Sequence, residues 1–428
     1  MSRAILVVGY LPAWQHALSR GGGDQVVFVE EPDVARKRHA GEQLAGSGMR
    51  LIEWEYQLAA EADRFHLAHR DLDPVAILPG VEYAVPFAAR LAERYGLPGA
   101  GFGAASLLSD KALLRSVTRE ADVANPRSAR VSTPADVREF MRACDGPVVL
   151  KPANRQASVG TQILYDGAEI DSAWVDCTQQ DEGVCAPDRP RPLLMLCEQF
   201  VAGDEFSVEM LVRDGQPLFA NITEKHLFPG PRPIELGHAI PAAIAAPLAD
   251  LLTAQTRRVL DAVGFGSGFA HCEWIVTDGV PVLVECAGRM PGDMIVPMID
   301  AAWKTDMVGA FVAVMRGDGT DTPLPQRPAA GSAVVFLRAQ PGEVVGVRGV
   351  EAARAIDGVN SVSINVQPGD RTNDLRSSWD RVGYVDATAS HAALALTIAR
   401  RAAALISIDV LPDATTVSRP QSPSGGAV

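Results

Sequence analysis

Two glutamates, Glu273 and Glu285, stand inside apolar runs that flank an Asp278-Gly279 pair, and Arg289 follows the second by four positions. An Asp-Gly pair between such runs predicts a β-hairpin. Side chains alternate along a strand, so Glu285 and Arg289 share a face if the strand runs that far. Glu273 joins them only if the loop has an odd number of residues or the ladder carries an equivalent bulge; a strict two-residue loop sends it to the other face. Two carboxylates on one inner face repel unless something positive lies between them. Oxygen ligands at that spacing suit Mg²⁺, which takes a few carboxylates together with substrate phosphates. The pattern therefore predicts a Mg-nucleotide site. The plain alternative is a pair of solvated cross-strand charges, against which the flanking apolar density argues.

Other stretches could complete such a site. A strand at 147–150 runs into Lys151-Pro152 and a small-residue loop, 153–161, that includes Ser158 and Gly160. Backbone N–H groups of such a loop can approach phosphates, although most loops of this composition are turns and no Walker A pattern is present. Glu198, Phe200 and Val201 end a strand before Gly203, and a linker crossing between sheets offers backbone groups to an adenine edge. Glu205, a few residues on, can accept from ribose hydroxyls. Glu82 follows the fourth strand of the N-terminal region, at the edge where doubly wound sheets bind ligands; it meets a substrate ammonium or is an acidic residue in a first helical turn. Residues 224–241, with Lys225, His226, His238 and three prolines at 229–233, read as a shaped active-site loop, though either histidine could be a surface residue.

The elements that must position these groups follow from the apolar pattern. Strands near 4–8, 26–29, 49–52 and 75–78 alternate with amphipathic segments, which predicts an open parallel α/β layer. Gly99–Gly103 marks a joint, and Ser109 is the candidate cap for a helix carrying Asp110-Lys111 in its first turn. A second α/β unit follows, with an exposed excursion at 171–192, helices near 246–263 and 298–316, and a third α/β unit over 332–410. A formal net charge of −13 argues against a general nucleic-acid binder. No run approaches a membrane span, and Cys144, Cys177, Cys185, Cys197, Cys272 and Cys286 form no CxxC pair, so reduced buried thiols and a cytoplasmic location are expected.

Taken in order, Asp110-Lys111, Val149-Leu150-Lys151-Pro152 with its loop, Glu198-x-Phe-Val-x-Gly-x-Glu205, Glu273 and Glu285-x-x-x-Arg289 resemble the ATP-grasp superfamily over roughly residues 105–316. Gly342-Glu-Val-Val, Pro368-Gly-Asp370 and Asp380-Arg-Val-Gly-Tyr384 resemble the C-terminal domain of bacterial L-amino acid ligases. The resemblance implies an α/β chain with an N-terminal open parallel-sheet domain over 1–104, and an α+β two-lobed ATP-grasp region over 105–320 with its small lobe at about 125–213. A C-terminal α/β ligase-type domain over 329–411 and a disordered tail over 412–428 complete it. It further implies ATP as co-substrate with Mg²⁺, Mn²⁺ being an alternative ion, and a reaction joining two amino acids, or an amino acid and an amine, through an acyl phosphate. Small-molecule substrates, no nucleic acid, no membrane, and a homodimer among the open assemblies go with it. Another carboxylate or a thiol substrate, or a non-catalytic nucleotide-binding protein on this scaffold, are the alternatives.

By the same resemblance Lys111 and Lys151 hold ATP phosphates, and Ser158 and Gly160 lie nearest them in the covering loop. Glu198, Phe200 and Val201 line adenine, Glu205 binds ribose, and Glu273 and Glu285 bind metal. Arg289 stabilises the acyl phosphate and the tetrahedral intermediate, while Glu82, His238, Gly292 and Asp293 lie near the amino-acid substrates. Asp293 is expected to favour a cationic group. Ala287 stands where many members carry an asparagine metal ligand, which leaves the second ion's coordination open.

Overall fold

The computed structural model describes residues 3–19, 24–179, 182–318 and 323–412. Cys185's side chain and the tail expected to be disordered lie outside the described residues, apart from Pro412.

Four strands, β1 (Arg3–Val8), β2 (Gln25–Glu30), β3 (Arg50–Glu53) and β4 (Asp73–Pro79), form a parallel sheet in the order β3-β2-β1-β4. The inner strands, β2 and β1, are apolar runs buried on both faces, as a sheet covered on two sides requires. At the carboxyl end of β4 the chain passes so close to β1 that a Cβ on Gly80 would lie 2.4 Å from the Gly9 carbonyl oxygen. Only glycine fits there, and the turn it permits delivers Glu82 to the sheet's ligand edge.

Next come β5 (Ser128–Val131), β6 (Val148–Pro152), β7 (Gln162–Leu164) and β8 (Met195–Gln199), an antiparallel sheet in the order β5-β8-β6-β7. The Pro134–Cys144 and Ile170–Thr178 helices pack on it around Val148, Leu150 and Cys197. Beyond lie β9 (Asp204–Arg213), β10 (Gln216–Leu227), β11 (Glu235–Ile240), β12 (Gly268–Thr277), β13 (Val280–Ala287), β14 (Gly331–Leu337), β15 (Gly342–Arg348), β16 (Val359–Ile364), β17 (Arg371–Thr372), β18 (Gly383–Ala389) and β19 (Ser407–Leu411). Eight of them make one antiparallel sheet, β13-β12-β9-β10-β11-β14-β18-β16, and β17-β15-β19 make a small one.

Several expectations are corrected here. The small lobe's sheet ends at Gln199, because β9 pairs with β10 and β12 rather than with β8, so its boundary is not near 213. The C-terminal unit shares the large sheet, since β14 bonds to β11 on one side and β18 on the other. The helix expected over 298–316 is two, Ile295–Trp303 and Met307–Met315, broken where Lys304 takes φ 55° and Asp306 caps the second. Asp110, not Ser109, caps the Lys111–Glu120 helix, its carboxylate accepting from the Ala112 N–H at 2.8 Å. Lys225 and His238 lie on strands β10 and β11, and only the turn between them is loop.

Nor is 171–192 a free excursion. Its second half docks on the N-terminal sheet, where Arg189 grips the fully buried Glu31 at 2.6 and 2.7 Å and Lys37 pairs with Asp188 at 2.5 Å. Glu182 is bonded by Tyr83 and Arg191. No helix among the described residues is long and apolar enough to cross a membrane.

Candidate active site

The β9–β13 part of the large sheet has two unlike faces. Phe206, Val208, Met210, Cys272, Trp274 and Leu283 pack against the Ala246–Val263 helix. The alternate residues are polar: Glu205, Ser207 and Glu209 on β9, Asn221, Thr223 and Lys225 on β10, His271 and Glu273 on β12. Registers Lys225↔Glu205, Asn221↔Glu209 and His271↔Glu209 place them side by side. A polar face buried this way must satisfy itself, and Glu209, with no solvent exposure, does so: its carboxylate meets Ser207, Asn221, Thr223 and the His271 ring at 2.6 to 3.0 Å.

On the same face Glu273 and Glu285 stand directly opposite each other. The turn between β12 and β13 has only two residues, Asp278 and Gly279, yet the ladder slips by one between Glu273 and Trp274, leaving Val284 without a partner. That bulge restores the parity the turn would break. It is held open from outside the hairpin: the Leu283 N–H donates to the Ala124 carbonyl at 2.9 Å, and the Val284 carbonyl accepts from Arg115 at 2.5 Å.

Three lysines converge on these acids. Lys111 Nζ lies 2.9 Å from Glu285, Lys225 Nζ 2.6 Å from Glu273 and 2.8 Å from Glu205, and Lys151 Nζ 2.7 Å from Glu198. Burial opposes charge on Glu285, but Lys111 outweighs it and the repulsion of Glu273, so the carboxyl sits below its usual range. Burial likewise works against Glu273, and Lys225 and His271 pull it well below. Both are ionised at neutral pH. Glu205 goes the other way: burial, with Glu273 and Glu235 nearby, raises it despite Lys225. Glu198 is buried, yet Arg115 and Lys151 hold it at about 2. Lys151 is lowered by burial and by Arg115 and Lys111, with Glu198 opposing.

Beside them Arg289 Nε donates to Glu82 at 2.6 Å, joining the large lobe to the edge of the N-terminal sheet. Asp293 pairs with Arg381 at 2.5 Å, and His238 Nε2 lies 3.7 Å from it. Burial opposes ionisation of Asp293, and Arg381 overcomes this and holds it well below the carboxylate range. Asp293, expected to favour a cationic substrate group, is paired here with an arginine of the chain.

All but one of the expected site residues line a single cavity of about 1320 Å³. Gly160 is the exception. It turns from the cavity, and a Cβ there would lie 2.6 Å from the Cys177 carbonyl. Ser158 lines the cavity but its hydroxyl donates to the Pro233 carbonyl at 2.8 Å, so it ties loop to hairpin tip. Glu198 has its carboxylate engaged by Arg115 and Lys151. Phe200 and Val201 do fall where the chain crosses from β8 to β9, a crossing so tight that a Cβ on Gly203 would lie 2.3 Å from the Val276 carbonyl. Sequence reasoning placed Lys225 in an active-site loop without a role, and missed Glu209, His271, Arg115 and Arg381 as site groups. For the first three the period-two polar stripe along β9, β10 and β12 was the available signal; the two arginines had none.

A family model of the ATP-grasp domain matches residues 144–298, which hold β6, β8 and the whole glutamate hairpin. The chain carries an ATP-grasp domain. A second model, L-amino acid ligase C-terminal domain 2, matches residues 335–411. Among curated proteins the chain is similar to dapdiamide A synthase of Enterobacter agglomerans, 27% identical over 54% of this chain and 56% of that protein. It is similar as well to alanine–anticapsin ligase of Bacillus subtilis (strain 168), 24% identical over 58% of this chain and 55% of that one. The matches thus span about half the length of these relatives. In fold it is similar to the L-amino acid ligase from Bacillus licheniformis, with TM-score 0.76 and 19% identity over 96% of this chain and 99% of that one. The ATP-grasp fold, with a parallel N-terminal sheet and antiparallel sheets after it, is shared.

Proposed function

We propose that the chain is an ATP-dependent carboxylate–amine ligase that joins two amino acids, or an amino acid and an amine, through an acyl phosphate, with release of ADP and phosphate. The observation that carries this reading is the meeting of two opposed, ionised glutamates, three lysines and the Glu82–Arg289 pair in one cavity. The relatives' names support it, since both describe enzymes that join small molecules by name as a synthase or ligase.

ATP would lie with adenine at the β8–β9 crossing, where the Val201 N–H meets no backbone carbonyl among the described residues. Its phosphates would reach Lys111, Lys151 and Lys225. Each lysine now faces a carboxylate, so the cradle is near neutral before substrate arrives, and an entering polyphosphate supplies the anions these ammonium groups can turn to. Glu273 and Glu285 fit Mg²⁺: both are oxygen donors, ionised and on one face. Among the described residues no three His, Cys, Asp or Glu side chains form a cage, and Ala287 offers no donor, so phosphate and water would supply the other ligands. When bound, Mg²⁺ neutralises charge on the phosphates; Mn²⁺ would suit the same oxygens.

The substrate carboxylate attacks the γ-phosphate, ADP leaves, and the amine of the second substrate attacks the acyl phosphate to expel phosphate. Arg289 holds the oxygen on which charge develops, and Glu82 takes an ammonium. Ser158 and the 228–234 turn exclude water from the acyl phosphate. A phosphate-release screen with ATP, Mg²⁺ and a matrix of amino-acid pairs, followed by mass identification, tests the reading. ADP formation dependent on both an acid and an amine is expected; nucleotide binding without turnover of any pair would sink it.

A further inference from the structure

The cavity does not end at Glu82 and Arg289. It continues between the Pro12–Leu18 helix, on the N-terminal sheet, and the Met307–Met315 helix, where Leu11, Trp14, Ala17, Ile295, Val308 and Val312 line it. Leu11 and Trp14 are three residues apart and Val308 and Val312 four, so each segment turns one apolar face to the space. Trp14 Nε1 donates to the Gly80 carbonyl at 3.1 Å, two residues before Glu82. The apolar chamber therefore begins where the acidic anchor ends.

Its far wall is polar, and its side chains are engaged with the chain's own groups. Arg316 meets Asp24 at 2.5 Å and Asp318 at 3.0 Å. Asp306 caps its helix through the Gly309 N–H at 2.9 Å, and Asp300 accepts from the Met307 N–H at 2.8 Å. Burial raises Asp300 to about 7, offset by the Met307 N–H and reinforced by Asp306.

We propose that this chamber receives the side chain of the amino acid anchored at Glu82 and Arg289, and that it selects a long apolar side chain, of the leucine, methionine or phenylalanine class, over a short or charged one. The proposal rests on the ligase reading and adds the substrate class to it. An apolar side chain entering would cover apolar walls that otherwise face water.

The test compares kcat/KM for leucine, methionine and phenylalanine with that for alanine, lysine and glutamate, each paired with the same second substrate. The wild type should prefer the first group. Val312→Phe, and on the opposite wall Ala17→Phe, should each lower the ratio of long to short apolar substrates by roughly ten- to two-hundred-fold, the range for steric changes in an apolar pocket. Two walls are used so that one variant still reports if the other fails to fold. Amino-acid-dependent phosphate release with the ratio unchanged in the folded variants would overturn the chamber and leave the ligase reading standing, as would a wild-type preference for alanine or charged substrates. Absence of release with every pair would overturn the ligase reading and the chamber with it.

Discussion

Arg289 and Glu82 come from different domains and meet at 2.6 Å, so each orients the other before a substrate arrives. Replacing Arg289 with alanine should lower kcat by about 10²–10³-fold, the range for a donor aimed at a developing oxyanion, and steady-state kinetics on the best amino-acid pair would show it. Arg115 acts at a distance, holding both Glu198 and the Val284 carbonyl while only 1% exposed. Arg115→Ala should lower unfolding free energy by about 3–5 kcal/mol, because a buried carboxylate loses a partner; urea titration measures it. Glu198 also gives the pH dependence a sign. Its folded pKa of about 2 lies below its ordinary 4.5, so the stability it contributes is complete above 4.5 and is lost as pH falls from there towards 2. Glu198→Gln should flatten the thermal-denaturation midpoint across that acid window. Glu273, Glu285, Lys111 and Lys151 were legible because each sits in a motif with neighbours of known spacing. Lys225 was not, because a lysine in an alternating strand looks solvated until the strand across from it is known.

The hairpin shows why element boundaries were easier to read than faces. The Asp278-Gly279 turn was legible from its residues, and its two-residue length alone would have put the glutamates on opposite faces. The bulge that rescues their pairing depends on Ala124 and Arg115, remote in sequence, and no local pattern at 283–285 announces it. Deleting Val284 removes the extra residue. Glu285 then follows Leu283 directly and still opposes Glu273, so the variant should keep its β content by circular dichroism and its Mg²⁺-dependent binding of a non-hydrolysable ATP analogue, whereas Glu285→Ala should lose that binding. Retained Mg²⁺-dependent affinity in Glu285→Ala would show that the opposed pair is not the metal site. The broken 298–316 helix was hidden for a related reason: apolar residues run on both sides of the break, which is set by Lys304 and the Asp306 cap.

Across the whole molecule the small lobe is fastened on two sides. Arg189 and Lys37 bind its 182–192 segment to the N-terminal sheet. On the other side Asp176 pairs with Arg232 of the hairpin turn and Arg376 of the C-terminal unit, and the Ser378 N–H donates to the Ala157 carbonyl at 3.1 Å. Asp176→Ala should loosen that second fastening, seen as faster amide exchange at 154–161. It should also increase phosphate released without product, because water reaches the acyl phosphate. Three α/β units were legible from the alternation of apolar runs, but their joining was not, since strand order depends on pairings between distant segments. The continuity of the eight-stranded sheet bears on how such enzymes can be recombined. A chimera that exchanges the C-terminal unit for a relative's would cut the ladder between β11 and β14, leaving a long strand edge bare within the protein. A crossover that carries the N-terminal parallel sheet instead severs no ladder, only packed side chains and side-chain pairs such as Glu82–Arg289, Glu31–Arg189, Lys37–Asp188 and Asp24–Arg316. Substrate range should therefore be exchangeable at the amino end of the gene and refractory at the carboxyl end.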